Sequence, residues 1–139
     1  MKNYYSDNLY YTTVALSREI ASVAETAFLD LGLTPSDAYL LMTVNEKPNI
    51  QPTEISEKIL LAPSTITRMI EKLEKRHIVA RSNQGKYTYV AATPKGQDMY
   101  ASIIAKWDEI NNNFLQKLGE DALSNLVGMT SSAASSLKN

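Results

Sequence analysis

Residues 52–96 read PTEISEKILLAPSTITRMIEKLEKRHIVARSNQGKYTYVAATPKG, and the side-chain pattern changes twice along them. Pro52 suits the first position of a helix, because the N–H it lacks is one that a helix start leaves unpaired. Ile55 and Ile59 then fall one turn apart on an inward face. Leu60-Leu61-Ala62 is a short turn, and Pro63 opens a second helix with Ile66, Met69, Ile70 and Leu73 on one side. Two helices of that size joined by so short a link predict a helix-turn-helix. From Ile78 the period shortens to that of a strand. Residues 78–82 and 87–92 read as a hairpin around the tip Asn83-Gln84-Gly85-Lys86. Thr93-Pro94 restarts a helix with a cap followed by a proline.

The same stretch concentrates positive charge. From Lys58 to Lys95 the cations are Lys58, Arg68, Lys72, Lys75, Arg76, Arg81, Lys86 and Lys95, against only Glu71 and Glu74, which is eight less two, or a net +6. The whole chain is −1, so the remainder carries −7. A near-neutral total thus hides one basic module. Polyanions are its natural partner, since each neutralised phosphate releases condensed counterions.

Outward from this module the pattern is helical. Residues 5–31 form one long segment with Leu9, Val14, Ile20, Val23, Ala24, Ala27, Phe28 and Leu31 at roughly helical spacing, closed by Gly32. Thr34 is a cap, Pro35 fits the first helical position, and Asp37 adds an acid to the first turn of a largely buried second helix. Residues 45–50 read as loop. Beyond Pro94 a long helix carries Met99, Ile103, Trp107, Ile110, Phe114 and Leu118 on one stripe. Gly119 breaks it before a last helix with Leu123, Leu126, Val127 and Leu137. These outer stripes are more extensive than a helix-turn-helix core of this size needs. They suit either a dimer interface or the cap of the monomer's own core.

Several function classes are excluded or disfavoured. No apolar run approaches the roughly 18 residues of a membrane span, and the N-terminus lacks a signal-peptide core, so a cytoplasmic protein is expected. The absence of cysteine removes disulfides and zinc-thiolate sites, and the single histidine, His77, builds no multi-histidine metal centre. No cofactor is expected. The helix-surface acids and the serines have no evident partner base, and there is no phosphate-binding glycine loop, which argues against an enzyme.

In order and spacing, several segments resemble the MarR (multiple antibiotic resistance regulator) family of winged-helix transcription factors. They are Leu33-Thr34-Pro35, Glu54-Ile55-Ser56, Pro63-Ser64-Thr65-Ile66-Thr67-Arg68, the run from Leu73 to Arg81, and Thr93-Pro94-Lys95-Gly96. The resemblance spans nearly the whole chain. It implies a mainly α fold with a small β-hairpin, a winged helix-turn-helix flanked by N- and C-terminal dimerisation helices. Residues 1–32 would be the first dimerisation segment, 33–96 the DNA-binding lobe and 97–139 the second. It further implies a homodimer, most often a repressor, on a roughly palindromic operator of double-stranded DNA. Recognition helices would lie in major grooves and wings in minor grooves, with release by a small, often aromatic, ligand. Four positions depart from the family pattern, among them Leu60, which sits where a small residue is common. The wing tip has one cation, Lys86, where paired arginines are usual. His77 replaces a glycine after the recognition helix. Ala62 offers no side-chain oxygen to the helix start, a loss of about 1 kcal/mol relative to serine.

The candidate DNA contacts follow. Ser64, Thr65 and Arg68 lie in the first turns of the second helix of the motif, the region that meets base edges, and an arginine there pairs bidentately with guanine. The plainer reading is that Ser64 helps cap the helix and Arg68 meets a phosphate or an acid. Thr67 is equally a packing or a phosphate residue. At least one of Lys72, Lys75 and Arg76 is a phosphate contact, or the three are only a solvated face. Arg81 bridges wing and helix or touches DNA, and Lys86 is the wing's candidate. Tyr11, Tyr39, Met42 and Trp107 are candidates for an effector cleft, against ordinary core packing. A different class stays open: a winged-helix module that binds proteins and no DNA, which the short wing and atypical turn would suit.

Overall fold

The structure, a computed structural model, describes residues 2–138. In chain order the elements are α1 (Leu9–Phe28), α2 (Pro35–Glu46), α3 (Pro52–Ile59), α4 (Pro63–Lys75), β1 (Val79–Gln84), β2 (Tyr87–Ala92), α5 (Pro94–Asp98), α6 (Tyr100–Leu118) and α7 (Glu120–Leu137). This is the mainly helical, winged helix-turn-helix architecture expected, with α4 in the place of the recognition helix.

Local chemistry sets most boundaries. Thr34 and Asp37 form a reciprocal capping box at the start of α2: the Asp37 N–H donates to Thr34 Oγ1 and the Thr34 N–H to Asp37 Oδ2. Gly32 closes the preceding turn at φ 64°. The first helix starts at Leu9, not near Tyr5, because Asn3 Oδ1 accepts the Tyr5 N–H and draws the chain into a turn, after which Asn8 caps α1. The long helix expected after Pro94 is divided at Met99. Its first piece is tied to the hairpin base by the Thr93 N–H, which donates to the Ile78 carbonyl, whereas α6 lies along α1.

The hairpin differs from expectation at its tip. Asn83 and Gln84 extend β1 and pair with Thr88 and Tyr87, leaving Gly85-Lys86 as a two-residue turn with Gly85 at φ 62°. A glycine at the first turn position matches the right-handed twist of the strands. Ile50, read as loop, adds a single antiparallel bridge to Val90.

One core unites these elements. Phe28, Leu40, Leu41, Ile55, Ile66, Ile70, Leu73, Ile78, Val90 and Ile103 are buried together. The inward face of α4 is as predicted, with Ile66, Met69, Ile70 and Leu73 all buried. By contrast α7 buries no residue.

Three residues other than glycine are left-handed: Asn49 at φ 59°, Leu60 and His77. His77, at φ 60°, ends α4 in a Schellman arrangement: its N–H donates to Glu74 and the Ile78 N–H to Leu73. Leu60 ends α3 at φ 61° with its side chain 75% exposed. That conformation strains an L-residue, and little packing offsets the strain. Leu60→Gly is therefore expected to stabilise the chain by about 0.5–1 kcal/mol. Urea unfolding would show a higher midpoint at unchanged slope.

Candidate nucleic-acid interface

The amphipathic α4 sits between core and solvent. With its apolar side against α3 and the hairpin, the opposite side presents Ser64, Arg68 and Lys75 outwards, all exposed, with Thr65 half-buried at the flank. Among the described residues Arg68 takes part in no hydrogen bond or ion pair, so its guanidinium is free for a ligand. Thr67 is exposed, and its hydroxyl donates back to the Pro63 carbonyl at 3.1 Å. Ala62 makes no side-chain cap, as its lack of an oxygen requires.

The remaining candidate cations divide. Lys72 Nζ donates to Asp37 Oδ2 at 2.7 Å, and Arg76 Nη1 donates to the Gly32 carbonyl at 2.6 Å. Arg81 Nη2 donates to Glu74 Oε1 at 2.8 Å, and the Arg81 N–H donates to Glu74 Oε2, so this residue bridges wing and helix. Hydrogen bonds from the Arg81 side chain, then from its backbone, lower the Glu74 carboxyl from its ordinary pKa. The contribution of that pair is therefore full above the ordinary carboxylate range and is lost as acid titrates Glu74 through its folded value. With both side chains 36% exposed, solvent keeps it small. Lys86, at the turn, lies over the Tyr87 ring, 5.9 Å from its centroid.

The candidate cleft residues also divide. Tyr39 stacks on Trp107 at 4.4 Å between centroids, and Phe28 meets the same indole edge-on at 4.9 Å. Tyr39, Met42 and Trp107 line a cavity of about 450 Å³ together with Ile20, Ile110, Phe114, Leu123 and Val127. Burial raises the Tyr39 hydroxyl from its ordinary pKa, so it stays protonated at neutral pH. Tyr11 stands apart from this group: it is exposed near the start of α1 and packs edge-on against Tyr5 at 5.4 Å. Its ring faces the N-terminal turn because Asn8 starts the helix just before it.

Asp37 is the residue whose role the sequence did not disclose. Read as a helix-start acid, it is also buried, and it holds a cation 35 positions away. Only its burial marks it out, and burial is a product of the assembled fold.

A hairpin wing and a helix-turn-helix define the winged-helix class of fold. Comparison with known proteins agrees. The MarR family model matches residues 33–84. The HTH-type transcriptional repressor MdtR of Bacillus subtilis is 24% identical over 106 residues, spanning 74% of this chain and 68% of that protein. The crystal structure of the transcriptional regulator SlyA superposes with a TM-score of 0.79 at 26% identity, covering 94% of each chain. The repressor CouR bound to a 23-mer DNA duplex has the same fold, with a TM-score of 0.85 at 20% identity over 93% of this chain and 94% of that one. Over residues 33–84 the chain thus matches the MarR family of DNA-binding transcriptional regulators, and over nearly its whole length it is similar to SlyA, a transcriptional regulator.

Proposed function

We propose that this chain is a homodimeric repressor that binds a pseudo-palindromic operator and is released by a small aromatic ligand. The observation that carries the dimer is the apolar surface that one copy leaves uncovered. Leu16, Ile20, Val23, Phe114, Leu118, Leu123 and Leu126 line an open groove between α1, α6 and α7. Leu9, Val127, Met129 and Leu137 are more than half exposed on the same helices. A second copy laid against them removes that surface from water, which is the main drive for association. In this reading residues 1–32 and 97–139 join the two copies and 33–96 form the DNA lobe.

Two-fold symmetry sets two α4 helices against successive major grooves, with Ser64, Thr65, Thr67 and Arg68 toward base edges and phosphates. Repression is supported by the likeness to MdtR, a repressor by name. Ligand release is supported by the aromatic cavity at Tyr39, Met42 and Trp107, and CouR has been solved with p-coumaroyl-CoA. A ligand acts only if it binds one spacing of the two lobes better than the other.

The deciding experiment is fluorescence anisotropy against a pool of genomic DNA fragments, with a salt titration on the best binder. The expected result is saturable binding whose logarithm falls steeply with log salt. A footprint with two half-sites about one helical turn apart, and a dimer by light scattering, would complete it. A folded dimer that binds no fragment even at low salt would favour the protein-interaction module instead.

A further inference from the structure

Lys72 and Arg76 sit on the helix that the proposed function assigns to DNA, where a cation is naturally read as a phosphate ligand. Both charges nevertheless have partners within the chain, although the Lys72 side chain remains half exposed. Lys72 Nζ lies 2.7 Å from Oδ2 of Asp37, whose side chain is 2% exposed. Arg76 Nη1 lies 2.6 Å from the carbonyl of Gly32, and its Nη2 3.4 Å from that of Leu31. Successive turns of α4 are thus fastened to one corner of the chain, where α1 passes into α2. Lys106 of α6 holds the same corner through Asp30 at 2.9 Å.

We propose that Lys72 and Arg76 are positioning residues, which set the angle of α4 on the α1–α2 corner and act on DNA through that angle rather than through a phosphate. The inference rests on DNA binding by α4. Its physical basis is the cost of changing partners. Among the described residues Lys72 is the one cation in ion-pair reach of Asp37, and the other carboxylate oxygen, Oδ1, is buried without a partner. Turning Lys72 to a phosphate would leave a desolvated carboxylate without its counter-ion, a heavier loss than the exposed phosphate contact returns. Arg68 and Lys75, on neighbouring turns, have no such tie and meet phosphates at no internal cost.

The test compares Lys72→Gln with Lys75→Gln on operator and on random duplex DNA. Lys72→Gln is expected to lose at least tenfold in operator affinity while random-DNA affinity and its salt slope stay within error. Lys75→Gln is expected to weaken both and to lower the slope by about 0.9 for each phosphate it no longer neutralises. Lys72→Arg restores operator binding, and Asp37→Asn adds no further loss to Lys72→Gln. A uniform loss with a lowered slope in Lys72→Gln would make Lys72 a phosphate ligand and overturn the proposal. So would an unchanged operator-to-random ratio, which leaves the pair a matter of stability alone. Hydrogen exchange without DNA separates the proposal from the function it rests on. Faster exchange confined to α4 in Lys72→Gln and Arg76→Gln supports positioning, even for a protein that binds no DNA tested. Unaltered exchange overturns it. Should Asp37→Asn not fold, the Lys72 and Arg76 variants decide the matter.

Discussion

Alanine at Gly96 is expected to cost this protein about 3 kcal/mol, the upper end of what overpacking does. A Cβ built there would sit 2.2 Å from the Ile78 carbonyl oxygen, 3.2 Å from its carbon and 3.3 Å from Leu41 Cδ1. That carbonyl has no freedom to withdraw. It accepts from the Thr93 N–H at 3.0 Å, while the Thr93 hydroxyl donates to the neighbouring His77 carbonyl at 2.6 Å, and those bonds close the base of the hairpin. The alternative, moving α5, breaks the Thr93 cap, whose oxygen accepts the Gly96 N–H at 3.2 Å. Against a total stability of about 5–15 kcal/mol this is a large fraction. The midpoint of thermal unfolding, followed by circular dichroism, is expected to fall by on the order of 10 °C. An unchanged midpoint would mean that α5 and the hairpin separate without penalty and that the contact between them is not structural.

The second large effect falls on binding rather than folding. Arg68→Ala is expected to weaken operator affinity by roughly 10- to 100-fold, the worth of about 1–3 kcal/mol for a bidentate base contact. The circular dichroism spectrum and unfolding midpoint should not move. Arg68 is exposed, and among the described residues it takes part in no hydrogen bond or ion pair. Discrimination is the sharper readout. If Arg68 reads a base, the variant loses preference for the operator over a site changed at that position. If it meets only a phosphate, both sites weaken alike and the salt slope falls. Equal affinity of variant and parent for every DNA would remove Arg68 from the interface.

Arg68 and Lys72 are four residues apart on one helix, and their different roles show how far the sequence reaches. The helix itself was legible. Pro63 at its start, four apolar residues on one side and His77 at its end are features of side chains within a few positions of one another. The same holds for the Thr34 cap, for Gly32 and for the strand period beginning near Ile78. The limits of the wing were less legible. Asn83 and Gln84 look like turn residues, yet the register with Thr88 and Tyr87 makes them strand. A hairpin's turn is fixed by how the strands pair, and local propensity yields to that pairing.

The site was half legible for a related reason. Concentrated positive charge pointed to a polyanion, but a count of cations does not say which of them are spent inside. Lys72 is tied across 35 positions, Arg76 across 44, and Arg81 to an acid on another element. The stacking of Tyr39 on Trp107, and the exclusion of Tyr11 from their cavity, also depend on elements far apart in the chain. By itself, then, the sequence determined the order of the main elements, the buried face of α4 and the presence of a basic module, because caps, turns and periodicity act between near neighbours. The tertiary structure alone decided which charges face outwards, where Gly96 meets Ile78 and which aromatics share a cavity. Those are matters of distance between remote residues, and distance is settled only when the helices pack.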